Sequence, residues 1–323
     1  MPSHPVRRLV AQRAVAGVFT LWIVSVLVFL ATEVLPGNAA VAVLGRTAAG
    51  NPAAVRRLEA ALHLNRGLAD QYWLWFSGLL TGHLGHSLAN GQPVWAYVAP
   101  RLVNSAVLML VTGVLGAVLG GALGIAAALR KDGWFDHLTA AGALAVTALP
   151  EFVVAIGLII VFSTVLAHLL PAVSLLPPGS YAWTAPRLLI LPVATLVIVV
   201  VPYIQRMTRA AMIEALESDY VEMAQLKGVP RWRIVARHAL PNATAPVIQV
   251  IGLNFLYLAG GVVIVEYVFA FPGIGQGLVS AVDDRDIPVI QFIVVVLAGF
   301  YVLMNIVTDV IAMLATPRHR MPR

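Results

Sequence analysis

The 323-residue sequence contains no cysteine, and aspartate, glutamate, lysine and arginine together make up only 11% of it. Without cysteine there can be no disulfide, no thiolate metal site and no cysteine nucleophile. The sequence also has no HExxH, no GxSxG and no Gly-rich Walker segment ending in Lys-Ser or Lys-Thr. We therefore expect a chain with no catalytic residue, no metal site and no cofactor of its own.

Apolar residues, in contrast, are abundant: the hydrophobic set makes up 60% of the chain. This composition is typical of a polytopic membrane protein and far from that of a soluble globular domain. The formal net charge is +6, but the basic residues stand in short clusters beside the apolar runs, where they orient helices. The expected partner of the surface is thus the lipid bilayer, and no nucleic-acid partner is predicted.

Six apolar runs are long enough to cross a bilayer, which takes about 20 residues. They lie at residues 9–31, 103–129, 138–168, 188–205, 245–265 and 288–314. An even number of spans places both termini on one side. Most lysines and arginines fall on the cytoplasmic side if that side holds the termini. Arg7, Arg8 and Arg13 precede a first run that is longer than the apolar core of a signal peptide, which favours an uncleaved helix.

Residues 36–100 separate the first two spans and predict a small external helical subdomain. Asn51-Pro52 is a helix-start signal, and the QYWLWFSGLL run that begins at Gln71 places aromatic rings where a helix would lie at headgroup level. Two interpretations remain open. The subdomain is either a surface that receives a substrate-delivering protein or a cap that anchors the first two helices.

The most informative stretch is polar and lies between apolar runs, at residues 220–241. It reads YVEMAQLKGVPRWRIVARHALP. A short helix, a glycine stop at Gly228, a proline restart at Pro230 and a break at Leu240-Pro241 are the features expected of a rigid helix that docks onto a soluble partner.

This stretch resembles the EAA coupling loop of the membrane subunits of bacterial ABC importers. Glu222, Ala224, Gly228, Leu240 and Pro241 match its pattern, whereas Met223 and His238 replace the pattern's second residue and its isoleucine. The resemblance implies a coupling loop, residues 214–241, that transmits ATP hydrolysis from a partner subunit. The residues that it assigns to the ATPase contact are Asp219, Tyr220, Glu222, Ala224, Lys227, Gly228, Leu240 and Pro241.

Other blocks resemble the first membrane subunit of dipeptide and oligopeptide ABC importers. They are Leu35-Pro36-Gly37-Asn38, Gly82-His83-Leu84-Gly85-His86-Ser87, the GVVIVEYVFAFPGIGQGLVSAVDDRDIPVIQ run from Gly261, and Thr316-Pro317-Arg318. In three of them the aspartate of the family pattern is missing. The resemblance implies an all-α, six-helix membrane protein of the type I ABC importer kind in a bacterial inner membrane, with both termini cytoplasmic.

The same resemblance implies a division of the chain and a set of partners. The expected parts are a first transmembrane helix (1–35), the external subdomain (36–100), a five-helix transmembrane domain that contains the coupling loop (101–315) and a cytoplasmic tail (316–323). The expected partners are a second homologous permease subunit, two ATPase subunits that hold ATP and Mg²⁺, and an extracytoplasmic solute-binding protein.

Acidic residues at membrane depth are candidates for the translocation path because they are costly there. Glu151 follows Leu149-Pro150, a helix-opening pair, and is predicted either to meet a cationic group of the cargo or to be a neutral structural residue. At the outer end of the fifth span, the turn around Pro272 and Gly273 is either the lining of an exit or a simple tight loop; its candidates are Glu266, Phe269, Pro272 and Gly273.

Glycines in two spans predict close helix approaches. We expect Gly252, Gly260 and Gly261 at an interface between subunits, and a comparable stripe in the second span contains Gly113, Gly116, Gly120, Gly121 and Gly124.

The cargo is not decided by sequence. Peptides are the default by resemblance, with a nickel chelate or haem as alternatives. His63, His83 and His86 favour the metal-containing cargoes only slightly, since they lack supporting ligands. A nucleotide-independent secondary transporter or channel is the alternative function.

Overall fold

The computed structural model describes residues 5–34, 53, 66–165, 169–177 and 180–315. The predictions for residues 35–38, 51–52, His63 and 316–323 lie outside this part of the chain. In the described residues the fold is helical, and the only β-type pairing among them is an isolated bridge between His86 and Pro93. The helices are α1 (Pro5–Val34), α2 (Leu68–Thr81), α3 (Val94–Leu129), α4 (Trp134–Thr147), α5 (Glu151–Ile159), α6 (Ile190–Leu216), α7 (Asp219–Leu226), α8 (Arg231–Ile234), α9 (Leu240–Val268), α10 (Ile274–Asp283) and α11 (Ile287–Ala315).

Five helical stretches of the described chain are long and apolar enough to cross a membrane. They are Leu9–Glu33, Val94–Leu129, Pro186–Leu216, Arg231–Val268 and Ile287–Ile311. They correspond to five of the six predicted runs, and in the three middle stretches the helix extends well beyond the apolar run. The extension in Val94–Leu129 means that the predicted boundary between residues 100 and 101 falls inside α3.

The remaining predicted span, residues 138–168, is a bent pair. Helices α4 and α5 meet at an angle of 99°, and counting them as one span gives six. Pro150 explains the bend: it has no N–H to donate, and its ring disfavours a helical conformation at Leu149. Pro150 instead takes an extended conformation (φ −60°, ψ 144°), and α5 begins at the next residue.

Helix α6 is the central helix of the molecule. Its span is 61% buried, whereas the other spans are 22–33% buried. It packs along α3 and α9, and a core of buried side chains joins the three: Leu108, Leu196, Val200, Ile204, Leu258 and Val262 are members. The outer helices keep most of their apolar side chains at least partly exposed, as a bilayer or a partner subunit allows.

The glycine stripe of α3 explains how closely α6 approaches. A Cβ built on Gly120 would lie 2.8 Å from Ile204, and one on Gly124 would lie 2.6 Å from the Gln205 carbonyl oxygen. Any larger residue would push the helices apart. Gly121 points to open space, so it is not part of this contact.

The predicted break at Leu240-Pro241 is wrong. A π-helical turn, Val235–Ala239, joins α8 directly to α9, so that Arg231–Val268 forms one long helical stretch. Pro241 lies in the first turn of α9. A π turn is wider than an α turn and its hydrogen-bond pattern is shifted, so the proline ring and the missing N–H are accommodated without ending the helix.

Helix α2 follows the first span and lies against α1. The Tyr72 hydroxyl pairs with Ser25 at 2.9 Å, and its ring meets Phe29 edge to face at 5.5 Å between centroids. Trp73 on the other side of α2 is 66% exposed. This amphipathic placement is the one expected of an interfacial helix.

Candidate functional site

The coupling loop forms the predicted short helix. Helix α7 ends at Leu226, and Gly228 follows in the left-handed region with φ +75°. The Gly228 N–H donates to the Gln225 carbonyl at 2.9 Å, and the Val229 N–H donates to Ala224 at 3.1 Å. These bonds satisfy the last carbonyls of the helix. The glycine stop is therefore confirmed, as is the restart at Pro230, which precedes α8.

Helix α7 has a buried face and an exposed face. Val221 and Ala224 pack on Ile234 of α8 in a small core of their own, so Ala224 anchors the helix. Tyr220, Met223 and Leu226 point away from that core and are 42%, 54% and 76% exposed. The other predicted contact residues are exposed as well: Asp219, Glu222, Lys227, Gly228, Leu240 and Pro241.

Two ion pairs tie the C-terminal end of α6, which leads into the coupling loop, to the start of α4 and the turn before it. Arg209 of α6 binds both carboxylate oxygens of Asp136, which is 2% exposed. Lys131 pairs with Glu217 on the surface, and this hydrogen bond raises the pKa of Lys131. Neither pair was predicted from the sequence, because the partners lie 73 and 86 residues apart.

Glu151 lies where the bent pair meets α9. It is the first residue of α5, a position where the helix dipole stabilises a carboxylate. The Tyr257 hydroxyl donates to its Oε2 at 3.0 Å. A Cβ on Gly261 would lie 2.8 Å from the same oxygen. Since Tyr257 and Gly261 precede the end of α9 by two to three turns, Glu151 lies about 10–16 Å below that end, at membrane depth.

Glu266 and Phe269 do not line an exit in the described structure; both are 0% exposed. The Ser105 hydroxyl donates to Glu266 Oε1 at 2.5 Å, and the Gly275 and Gln276 N–H groups donate to Oε2 at 2.7 and 3.3 Å. Glu266 thus caps the start of α10 from within the core. Helix α10, which was not predicted from the sequence, covers Glu266 and Phe269, so that both are core residues of this chain.

The predicted tight turn at the end of α9 is present. Phe269 to Gly273 reverse the chain, with Ala270 at φ +49°, so that α10 packs back on α9. A Cβ on Gly273 would collide with the Glu266 carboxylate, and one on Gly275 would collide with Val263. Both glycines are therefore required by close packing, since neither has a positive φ. Pro272 accepts a hydrogen bond from Asn104 at 3.0 Å through its carbonyl.

Another buried carboxylate joins two of the family-like blocks. Asp286, 3% exposed, accepts hydrogen bonds from the Ser87 hydroxyl and, at 3.0 Å, from the Leu88 N–H. Both blocks resemble the family pattern in sequence, but the contact between them was not predicted. The Asp286 side chain ties the loop before α3 to the turn before α11.

The predicted subunit-interface glycines have partners inside the chain. A Cβ on Gly252 would collide with Thr308 of α11, and Gly261 faces Glu151, whereas Gly260 faces open space. The interface prediction is thus wrong for Gly252 and Gly261. His83 and His86 are exposed, and His83 Nδ1 lies 3.0 Å from the Thr81 hydroxyl. Within the described residues, no three His, Asp or Glu side chains are grouped to hold a metal ion.

Comparison with known proteins decides the family. The family model described as "Binding-protein-dependent transport system inner membrane component" matches residues 120–321, and the model of the corresponding N-terminal region matches residues 6–109. The chain belongs to this family. It is thus a multi-pass inner-membrane permease of a binding-protein-dependent ABC importer, which works with other ABC subunits, and the alternative of a nucleotide-independent transporter or channel is wrong.

Individual relatives agree with this assignment over nearly the whole permease. A probable peptide ABC transporter permease protein of Sinorhizobium fredii is 34% identical over 313 residues, which cover 96% of this chain and 98% of the relative. A glutathione transport system permease protein of Escherichia coli is 35% identical over 311 residues, covering 96% and 98%.

The fold also matches a solved transporter. The inward-facing MetNI methionine ABC transporter superimposes with a TM-score of 0.54 at 18% identity, covering 66% of this chain and 93% of the other. The likeness confirms the expected type I importer fold.

Proposed function

We propose that the permease forms half of the translocation path of an ATP-driven peptide importer and that the exposed face of α7 is where an ATPase subunit binds. The observation that carries this proposal is the geometry of the coupling loop. A short helix is held from behind by Val221 and Ala224, while Met223 and Leu226 remain exposed. An exposed apolar surface rimmed by polar residues is typical of a protein-binding site.

The mechanism that follows is mechanical. Arg209 joins the end of α6 to α4 through Asp136, and α8 continues into α9 without a break. A displacement of α7 by closure of two ATPase subunits would therefore move α4, α6 and α9 together. ATP and Mg²⁺ would be held by those subunits. The coupling loop and both termini lie in the cytoplasm in this proposal.

Peptides are the proposed cargo. In support, two of the relatives are named for peptide and glutathione transport, and glutathione is itself a tripeptide. Glu151 is the residue that we assign to the path. Its hydrogen-bond partner Tyr257 is 44% exposed, and the Tyr257 ring lies 6.2 Å from the ring of Tyr203, which is 42% exposed. A carboxylate beside an aromatic ring suits a cationic amino terminus.

The second permease subunit and the solute-binding protein complete the proposed assembly. The exposed apolar faces of α1, α3 and α9 offer room for the former, and the α2 side of the molecule faces the latter. Alternating access would open the path between the two permeases first outward and then inward.

Co-purification of the tagged permease from its native membrane tests the ATPase contact. Gly228→Val places a β-branched residue at φ +75° and is expected to distort the loop, because left-handed backbone costs an L-residue about 1–2 kcal/mol. We expect the parent to retain ATPase subunits and the variant to lose them.

Gly82→Val is the matched control. Gly82 follows α2 with φ +79°, and like Gly228 it has no atom near its missing side chain. It should retain the ATPases. A second pair, Leu226→Asp and Leu80→Asp, changes leucines that are 76% and 71% exposed at the two sites. Equal ATPase recovery from both members of each pair would overturn the proposed contact.

A further inference from the structure

A groove opens between the end of α3 and the start of the helical stretch that follows the coupling loop. Its volume is about 670 Å³. Its walls are apolar along α3 and at the π turn, and two arginines stand at its mouth: the lining includes Ala122, Ile125, Leu129 and Val235 with Arg130 and Arg231. Trp232 also lines it and is 66% exposed.

The length of α3 places this mouth at a membrane surface. Arg101 is the only charged residue within α3, and Arg130 immediately follows the helix. At a rise of about 1.5 Å per residue, the two arginines are about 44 Å apart, which equals the thickness of a bilayer with its headgroups, about 40–45 Å. Arg130 therefore lies at headgroup level, and the apolar wall that ends at Leu129 lies among acyl chains.

The charges around the groove are divided between paired and unpaired cations. Lys131 and Arg209 are neutralised by Glu217 and Asp136. Among the described residues, Arg130 and Arg231 have no ion-pair partner. The Arg231 guanidinium donates one hydrogen bond to the Leu129 carbonyl at 3.3 Å, and Arg130 lies over the Phe135 ring at 5.1 Å. Each guanidinium has further N–H donors to offer, out of five.

We propose that this groove binds one anionic phospholipid of the leaflet on the coupling-loop side. Its phosphate sits between Arg130 and Arg231, and an acyl chain lies along Ala122 and Ile125. Trp232 occupies the interfacial position that tryptophan favours in membrane proteins.

The chemistry favours a lipid over a protein carboxylate in this position. The apolar wall runs into the bilayer, where a soluble subunit cannot follow. The mouth offers two separate cations, which suit a phosphate with several acceptor oxygens. Basic pockets between membrane helices on the cytoplasmic side are known to bind anionic lipid headgroups. Lipid binding at the groove is also independent of the proposed cargo and of ATP.

Native mass spectrometry of the full-length permease in mild detergent tests the site, with phosphatidylglycerol as the probe and phosphatidylcholine as its zwitterionic control. We expect the parent to retain phosphatidylglycerol preferentially. In Arg130→Gln/Arg231→Gln the affinity should fall roughly thirtyfold, because each basic residue near the surface contributes about 1 kcal/mol.

Two matched variants make the result decisive. Arg206→Gln/Arg237→Gln removes the same charge from exposed positions outside the groove lining and should bind phosphatidylglycerol as the parent does. Arg130→Lys/Arg231→Lys keeps the charge and should restore most of the binding. The proposal is overturned if the two glutamine variants lose lipid equally, if neither loses it, or if the parent binds both lipids alike. None of these readouts needs cargo or an ATPase, so they are separate from the test of coupling.

Discussion

Glu151 and Glu266 are two carboxylates of apolar helical segments, and the structure treats them in opposite ways. Glu266 accepts three hydrogen bonds, from Ser105, Gly275 and Gln276, and is 0% exposed. Glu151 is 9% exposed and accepts one side-chain hydrogen bond in the described structure, from Tyr257, which is itself 44% exposed. Three donors occupy most of the acceptor sites of the Glu266 carboxylate, whereas the Glu151 carboxylate keeps sites for a further donor, as the proposed contact with cargo requires.

The comparison predicts the largest effect on folding at Glu266. Glu266→Ala leaves up to three donors without an acceptor, each costing about 1–3 kcal/mol when buried. We expect a marked drop in the thermal unfolding midpoint in detergent and a low yield of folded permease. Glu266→Gln keeps one acceptor oxygen and should lose less. An unchanged midpoint for Glu266→Ala would show that the Glu266 cap is dispensable for folding. The structural difference between Glu266 and Glu151 would then not hold.

At Glu151 the predicted effect is on transport. Glu151→Gln keeps the shape of the side chain and the Tyr257 contact, so the unfolding midpoint should stay near that of the parent. Uptake of peptides with a free amino terminus should fall about tenfold or more, since a hydrogen bond to a charged group contributes about 1.5–3 kcal/mol.

Amino-terminally acetylated peptides are the control, because they carry no cation for Glu151 to bind. Their uptake should be the same in the parent and in Glu151→Gln. If Glu151→Gln takes up free peptides as well as the parent does, Glu151 is not part of the path.

The backbone beside Glu151 offers a smaller perturbation. Gly261→Ala adds a Cβ 2.8 Å from Glu151 Oε2, which forces the carboxylate to shift away from Tyr257. We expect a several-fold fall in the uptake of free peptides. Gly260→Ala, one residue earlier, meets open space and should transport normally. If both alanine variants behave alike, the position of the Glu151 carboxylate does not control uptake.

The smallest effect is expected at Tyr257. Tyr257→Phe removes only the donor to Glu151 at a residue that is 44% exposed. The cost in unfolding free energy should be about 1 kcal/mol, the usual net contribution of a single hydrogen bond. Uptake should change by a fewfold factor at most, measured beside Tyr203→Phe as the neighbouring control. A loss as large as that of Glu266→Ala would mean that Glu151 too is a structural residue.

Local patterns predicted what depends on neighbouring residues in the chain. The apolar runs located the spans, and Gly228 was correctly predicted to end α7, because a left-handed residue after a helix is encoded at one position. The same local reasoning failed at Pro241. Whether a proline ends a helix depends on the turn before it, and here a π turn accommodates the ring.

Contacts between distant segments left no local signal. Ser87 and Asp286 are 199 residues apart, and Asp136 and Arg209 are 73 apart. The glycines show the same difficulty. Their spacing indicated close packing in α3 and α9, but only the tertiary structure shows that Gly252 faces Thr308 in the same chain and not a partner subunit.

The sequence by itself determined that this is a polytopic helical membrane protein with a polar helical loop between two spans, because hydrophobicity and turn chemistry are properties of short windows of chain. The tertiary structure alone decided which polar groups are satisfied. It buried Glu266 under α10 and placed Glu151, which is 9% exposed, beside the half-exposed Tyr257. Within the described part of the chain, it gave Arg130 and Arg231 no ion-pair partner beside the paired Lys131 and Arg209. Burial and pairing depend on which helices meet, and that is set by the packing of the whole chain.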